Sequence, residues 1–110
     1  MENFNINHLV FNSDGLIPTI AQEKSTNEIL MMAYSNKNSI EMTVKTKKAH
    51  FWSRSKKKLW LKGETSGNKL NIINIYTDCD SDALIYEVEL DGIGACHTGK
   101  KSCFYKKLEL

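Results

Sequence analysis

The sequence predicts an α+β fold that is predominantly β, with a compact mixed or antiparallel sheet and one or two helices. Most apolar runs are short, contain β-branched or aromatic residues, and are bounded by Gly, Ser, Asn or Lys. Only one segment combines a helix cap with apolar residues four positions apart. The chain has 110 residues, of which 41% are hydrophobic and 25% charged. We therefore expect one globular domain over residues 1–110.

Polar turns separate the strand-forming runs. The turn Glu23–Asn27 joins the first two runs into a predicted hairpin. The segment Asn36–Thr46 predicts a helix that its asparagine caps. Ile40, Met42 and Val44 form the apolar side of this helix. The predicted strands are Leu16–Gln22, Glu28–Tyr34, His50–Ser53, Leu59–Lys62, Leu70–Thr77, Leu84–Leu90 and Cys103–Leu108.

The net charge, the apolar runs and the N-terminal residues indicate which partners and which location to expect. A net charge of +2 is too small to imply a nucleic-acid or membrane partner. No run approaches the roughly 20 apolar residues that a membrane span needs. The N-terminus is acidic and polar, unlike a signal peptide. We expect a cytoplasmic protein whose partners have to be argued from its sites.

The segment 78–82, Asp-Cys-Asp-Ser-Asp, interleaves two kinds of metal ligand. Thiolates suit zinc, whereas carboxylates suit a hard ion such as magnesium. Cys79 and Cys96 have polar neighbours, which favour metal ligation over the ordinary role of cysteine as a small buried residue. Cys103 precedes two aromatic residues and fits an apolar strand equally well.

The three aspartates of this segment alternate along the chain. On an extended backbone their carboxylates would share one face and Cys79 would point the other way. A divalent cation makes such a cluster favourable, and a solvated acidic turn is the alternative. An EF-hand calcium loop also fits the spacing, but Ala83 stands where that loop needs Gly. The expected magnesium ligands are Asp78, Asp80 and Asp82.

Zinc held by three thiolates keeps one tetrahedral position open, at which water binds and is acidified. His97 follows Cys96 directly and could move a proton to or from that water. A fourth structural ligand or a surface histidine is the alternative interpretation. We expect His8 and His50 to be structural.

Two segments could bind phosphate. Arg54, the only arginine, lies between two serines, and three lysines follow. The loop Gly63–Asn68 is rich in hydrogen-bonding side chains and could wrap a phosphate or form a polar turn. A lysine run by itself is usually solvated, and tryptophans such as Trp52 and Trp60 usually belong to the core. The combination of Arg54, the lysine run and the tryptophans favours phosphate binding.

Six motifs occur in order over residues 15–104. They are Gly15-Leu16-Ile17-Pro18, Glu28-Ile29-Leu30-Met31-Met32-Ala33-Tyr34, Trp52-Ser53-Arg54-Ser55, the run 59–67 (LWLKGETSG), the run 78–84 (DCDSDAL), and Ala95-Cys96-His97-Thr98-Gly99 with Ser102-Cys103-Phe104. In these motifs the chain resembles the phosphoribosyl-AMP cyclohydrolase family. We expect substrate-binding roles for Arg54, Lys62, Glu64, Thr65 and Ser66.

The resemblance implies a zinc-dependent hydrolase of histidine biosynthesis. Its substrate would be 1-(5-phosphoribosyl)-AMP, whose adenine ring opens between N1 and C6 to give the ProFAR imidazole carboxamide. It implies a homodimer with one zinc per subunit, held by Cys79 of one subunit and by Cys96 and Cys103 of the other. Magnesium would lie on the three aspartates, and a chain of this length would be monofunctional.

Two other classes of function compete with this one. A zinc-stabilised binding module would normally close its metal site with four protein ligands, and three cysteines offer only three. A thiol redox sensor would be expected to have a Cys-x-x-Cys pair, which the sequence lacks.

Overall fold

The structure is a computed structural model that describes residues 2–110, and its main element is one mixed six-stranded sheet. The strand order is β4-β3-β2-β1-β6-β5. β1 and β6 pair in parallel, and the other neighbouring strands are antiparallel. The predominantly β fold is thus confirmed. The elements are β1 Ile17–Glu23, β2 Ile29–Ser35, α1 Lys37–Thr46, β3 His50–Ser53, β4 Lys58–Leu61, β5 Lys69–Thr77 and β6 Leu84–Asp91, after a short 3₁₀ helix, Ile6–His8.

β1 and β2 form the predicted hairpin. The Glu23 N–H donates to the carbonyl of Glu28 at 2.8 Å, which closes the turn. Asn27 has a φ of +63°, a left-handed conformation that asparagine tolerates better than most residues. Buried residues alternate along β1, as expected for a strand with one face on the core.

The helix α1 begins where its asparagine predicts. The Asn36 side chain accepts from the Ser39 N–H at 2.8 Å, and the Ser39 hydroxyl accepts from the Asn36 N–H at 2.9 Å. Its predicted apolar side is only partly correct. Ile40 is buried, but Val44 is 43% exposed. The buried face is completed instead by Thr43, whose hydroxyl accepts from the His50 N–H at 2.9 Å.

The sheet curls because the segment between α1 and β3 also contacts β5. The Ala49 N–H donates to the Leu70 carbonyl and the Ile72 N–H to the Lys47 carbonyl, both at 2.9 Å. On the other side, the Lys62 N–H donates to the Ala49 carbonyl at 3.0 Å. The open edges at β4 and β5 are thereby brought together as a half-barrel. The loop that follows β4 consequently lies near the start of β5.

The predicted strand Cys103–Leu108 is wrong, because these residues form no strand. The Ser102 hydroxyl donates to the Ile29 carbonyl at 2.6 Å and accepts from the Phe104 N–H at 2.9 Å. This side-chain bond occupies a backbone donor that a strand ladder would need. Phe104 is 62% exposed and Leu108 is 78% exposed.

The core lies between the sheet and α1. Its largest fully buried side chains include Tyr86, Phe51, Ile17, Leu30, Ile40 and Leu70. His50 is buried and contacts the Lys48 carbonyl through Nδ1 at 2.8 Å, and His8 caps the 3₁₀ helix with Asn5. Both histidines thus make local structural contacts, in line with the roles expected from the sequence. Within residues 2–110, no helix has the length and apolar character needed to cross a membrane.

Candidate active site and metal-binding residues

Two loops enclose a cavity of about 630 Å³ beside β4. One loop follows β4, and the other is the segment 92–103, which follows β6 and is called here the cysteine loop. Six predicted site residues line this one cavity. They are Lys62, Glu64, Thr65 and Ser66 from the first loop, and Cys96 and His97 from the cysteine loop.

The wall of the cavity contains residues that the sequence analysis did not select. Lys56, Lys58 and Trp60 line it together with Lys62. Lys58 and Trp60 are two positions apart in β4, so the extended strand directs them to one side, and Lys56 and Lys62 lie in the turns just outside its two ends. The Lys62 ammonium lies 6.0 Å from the centre of the Trp60 ring. From the sequence, the lysine run by itself favoured a solvated turn, and only its combination with Arg54 and the tryptophans favoured phosphate binding.

The backbone of the cysteine loop is folded closely on itself. The Ala95 N–H donates to the Lys101 carbonyl at 2.8 Å, and the Cys96 N–H to the Lys100 carbonyl at 3.2 Å. A Cβ at Gly94 would lie 2.6 Å from the carbonyl oxygen of Lys100, so only glycine allows this approach. The two ends of the loop are held together, and His97 lies at the exposed turn between them.

The thiols of Cys96 and Cys103 are neighbours. The Cys96 Sγ lies 3.0 Å from the Thr98 hydroxyl, and this hydrogen bond lowers the pKa of Cys96. The pKa of Cys103 is raised by the partial burial of its own thiol and by the adjacent Cys96 thiol. The nearby Lys62 ammonium favours the thiolate form of both. Two thiols therefore lie side by side, and Cys96 lines the cavity.

Cys79 lies elsewhere in the chain, in the turn between β5 and β6. Leu84, at the start of β6, pairs with Thr19 near the start of β1, so this turn lies toward the start of β1. The Cys103 N–H donates to the Leu30 carbonyl at the start of β2, which lies at the other end of β1. The exposed Cys79 lines a different cavity, of about 820 Å³. The chain thus brings together two of the three predicted zinc ligands and places the third apart from them.

The three aspartates do converge, but not in the way the alternation predicted. Oxygens of Asp78, Asp80 and Asp82 lie within 4.8 Å of one another, the only such cluster of potential ligands found in residues 2–110. The segment is a turn, not an extended strand. The Asp82 N–H donates to Asp78 Oδ1 at 3.0 Å, and Ser81 adopts a φ of +59°. The same-face argument was wrong, and the closed turn is what brings the carboxylates together.

The turn shifts the pKa values of two of these carboxyl groups in opposite directions. The backbone N–H of Asp82 lowers the pKa of Asp78. The hydrogen bond with Asp78 and the charge on it raise the pKa of Asp82. Two close carboxylates cannot both ionise freely, and a hard cation relieves that repulsion. The exposed oxygen-only donor set fits magnesium, whereas the sulfur pair fits zinc.

Arg54 does not line the cavity that contains His97. Its guanidinium carbon lies 4.1 Å from the centre of the Tyr34 ring, and it lines an adjacent cavity of about 740 Å³. Ser53 and Trp60 line both cavities. The five predicted substrate-binding residues are thus divided between two neighbouring cavities, with four of them in the one that contains His97.

The chain was compared with known proteins. A phosphoribosyl-AMP cyclohydrolase family model matches residues 31–105. A phosphoribosyl-AMP cyclohydrolase of Archaeoglobus fulgidus is 57% identical over 92% of this chain and 93% of that protein. The same-named protein of Methanoregula boonei is 52% identical over 92% of this chain and 81% of that protein.

A histidine biosynthesis bifunctional protein of Aquifex aeolicus is 50% identical over 92% of this chain. The matched region is 49% of that relative. The match to the cyclohydrolases includes both loops of the cavity, the aspartate turn and the three cysteines. The chain belongs to the phosphoribosyl-AMP cyclohydrolase family of hydrolases.

Proposed function

We propose that the protein is the phosphoribosyl-AMP cyclohydrolase of histidine biosynthesis. It hydrolyses the bond between N1 and C6 of the adenine ring in 1-(5-phosphoribosyl)-AMP. The observation that carries this proposal is the shared cavity, which has His97 on one wall and three lysines on the other. A cationic, aromatic and proton-transferring lining suits a substrate with a purine and two phosphates.

Each side chain that lines the cavity has a role that its chemistry suits. Lys56, Lys58 and Lys62 attract a phosphate group. The Trp60 ring offers a flat face against which a purine can lie. Zinc bound by three thiolates would supply an acidified water at its open fourth position. His97 takes a proton from the attacking water and returns one to N1 as the bond from C6 to N1 breaks.

The oxygen of the water remains on C6, which becomes the carbon of a carboxamide. Substitution on N1 gives the purine positive charge, which makes C6 electrophilic. Water addition at a purine C6 is also the chemistry of zinc-dependent base deaminases. Here the ring bond breaks and the exocyclic amine is retained.

The enzyme that we propose is a homodimer. Two zinc ligands of the set, Cys96 and Cys103, are adjacent, and Cys79 lies away from them in the same protomer. A second copy can supply the missing thiolate. The exposed apolar side chains that follow Cys103, which are Phe104, Tyr105 and Leu108, offer a surface to cover. Free thiols also suit the reducing cytoplasm, where we place the reaction.

Magnesium on the aspartate turn completes the proposal. Three exposed carboxylates at this separation give a weak site that fills from solution. In a dimer that shares Cys79, this turn would face the partner's cavity, because Asp78 and Asp80 flank that cysteine. The cation would then be near a phosphate of the substrate bound there.

The activity is tested by incubating the purified full chain with 1-(5-phosphoribosyl)-AMP and following the absorbance change of ring opening. AMP, which lacks the N1 substituent, is the matched control substrate. We expect turnover of the first compound only. Zinc-containing protein that leaves 1-(5-phosphoribosyl)-AMP intact would contradict the proposal and favour a zinc-stabilised binding module.

A further inference from the structure

Lys101 makes the ionic contacts that join the cysteine loop to the β1–β2 hairpin. Its Nζ lies 2.6 Å from Glu23 Oε1 and 3.2 Å from Glu28 Oε1. Glu23 is the last residue of β1, and its side chain is 11% exposed. One ammonium group therefore bridges two carboxylates, one of them largely withdrawn from water.

The turn holds the Glu23 carboxylate and the backbone of Glu28 in place. The Thr26 hydroxyl donates to Glu23 Oε1 at 2.7 Å and accepts from the Glu28 N–H at 3.1 Å. The Glu23 carboxylate therefore cannot turn away freely if the ammonium is removed. The two negative charges would repel each other, and the partly buried one would lose its counter-charge.

The backbone around Lys101 transmits this anchoring to both thiols. On the N-terminal side of the loop, the Lys101 carbonyl accepts from Ala95, the residue before Cys96. On the C-terminal side, the Ser102 hydroxyl donates to the Ile29 carbonyl, and the Cys103 N–H donates to the Leu30 carbonyl at 2.7 Å. The lysine is thus in contact with the segments that carry Cys96 and Cys103.

We propose that Lys101 is a positioning residue for metal binding, which holds the Cys96 and Cys103 thiols at the spacing of a bound ion by anchoring the cysteine loop to Glu23 and Glu28. The inference rests on the proposed zinc site. It assigns a role outside the set of ligands, since the ammonium contacts carboxylates and not the thiols. Removal of groups that hydrogen-bond directly to metal ligands commonly changes metal affinity by about 10-fold to 100-fold, and Lys101 acts on the ligands through the loop backbone, so we expect an effect near the lower end of this range.

The chain provides a matched control at the next position. Lys100 lies in the same loop, but its ammonium is 5.0 Å from the centre of the Tyr105 ring and makes no ion pair within residues 2–110. Lys100→Met and Lys101→Met remove the same charge from the loop. Lys101→Arg keeps the charge and can donate to both carboxylates.

The experiment measures zinc affinity by equilibrium competition with a chromophoric chelator, using the full chain as purified. We expect the zinc affinity of Lys101→Met to be about 10-fold lower than that of wild type. The zinc affinities of Lys101→Arg and Lys100→Met should stay within about threefold of the wild-type value. Equal affinity in Lys101→Met and wild type would overturn the inference. An equally large loss in Lys100→Met would do the same, because general loop charge would then be responsible.

Hydrogen exchange on the same samples separates this inference from the zinc proposal. Lys101→Met should lower the protection of the Ala95, Cys96 and Cys103 amides by about 10-fold and leave the amides of β6 unchanged. If wild type holds no zinc, the proposed function fails, and unchanged protection in Lys101→Met then refutes the anchoring as well. If Lys101→Met does not unfold cooperatively, the zinc affinity of Glu28→Gln is measured instead. The Glu28 side chain is 41% exposed, so this variant should fold. Unaltered zinc affinity in folded Glu28→Gln would overturn the inference.

Discussion

The backbone N–H of Cys103 donates to the carbonyl of Leu30 at 2.7 Å, which fixes this cysteine beside the start of β2. Cys79 belongs to the turn between β5 and β6, on the other side of β1 in the strand order. The strands between them are paired by ladders of backbone hydrogen bonds. This separation supports the proposal that a zinc site with all three cysteines takes its ligands from two copies of the chain.

Mixed dimers test this sharing directly. Cys79→Ser and Cys96→Ser should each be inactive alone, because every site then lacks a ligand. In a mixed dimer both substitutions fall in one site and the other site is intact. Random pairing of equal amounts should restore activity to roughly a quarter of wild type per subunit. Mixed dimers that form and stay inactive would show that each site takes its ligands from one chain.

Two adjacent lysines test the wall of the cavity. Lys58 lines the cavity and Lys57 does not, so Lys57→Met is the control for Lys58→Met. Loss of a charged hydrogen bond to phosphate should lower kcat/KM by about 10-fold to 100-fold in Lys58→Met. We expect Lys57→Met to stay close to wild type. Steady-state kinetics on 1-(5-phosphoribosyl)-AMP decide, and equal effects of both changes would argue against the assigned wall.

Replacing His97 tests proton transfer. The residue is exposed at the turn of the cysteine loop, so His97→Ala should fold and keep its zinc. We expect kcat to fall by roughly 10² to 10⁴ with a smaller change in KM. Zinc content measured on the same sample is the control. Normal turnover at full zinc content would move the proton-transfer role to another group.

The aspartate turn can be tested through its metal requirement. Asp80→Asn removes one of the three clustered carboxylates, so more magnesium should be needed for half-maximal activity while bound zinc stays unchanged. Asp91→Asn removes the same charge at the far end of β6 and is the control. Titration of activity with magnesium gives the answer. An identical magnesium requirement in Asp80→Asn and wild type would refute this use of the turn.

The Glu23–Lys101 contact predicts a pH dependence of stability. The hydrogen bond from Lys101 lowers the pKa of Glu23 below its ordinary value of 4.5. The stabilisation is therefore complete above 4.5 and disappears as the pH falls through the lower pKa of the folded state. The difference in Tm between wild type and Glu23→Gln should be largest near neutral pH and shrink below pH 4.5. A difference that stays constant into acid would contradict the contact.

Local patterns were sufficient to predict most of the fold. The asparagine cap located α1, and the polar turn located the β1–β2 hairpin, because both depend on residues near in sequence. The final segment was mispredicted as a strand because its aromatic residues suit one. The bond from Ser102 to Ile29 that prevents it is a tertiary contact.

The candidate site was predicted unevenly for the same reason. Motifs gave the residues of both loops, and these line one cavity. The position of Arg54 in the adjacent cavity depends on its contact with Tyr34, which no local pattern contains. The carboxylate cluster was predicted, but from an extended backbone, whereas a left-handed Ser81 closes it into a turn.

The parallel pairing of β1 with β6 also sets how fast the chain can fold. Thr19 of β1 pairs with Leu84 of β6, and most of the sequence lies between these two residues. A long loop must therefore close before this ladder contributes any free energy. The hairpins β1–β2 and β5–β6 involve shorter loops and should form first. Folding should then take on the order of milliseconds to seconds, with hairpin association as the slow step. The β5–β6 turn that carries Cys79 should take its place against β1 only in that last step, so the proposed shared metal site would form late in folding.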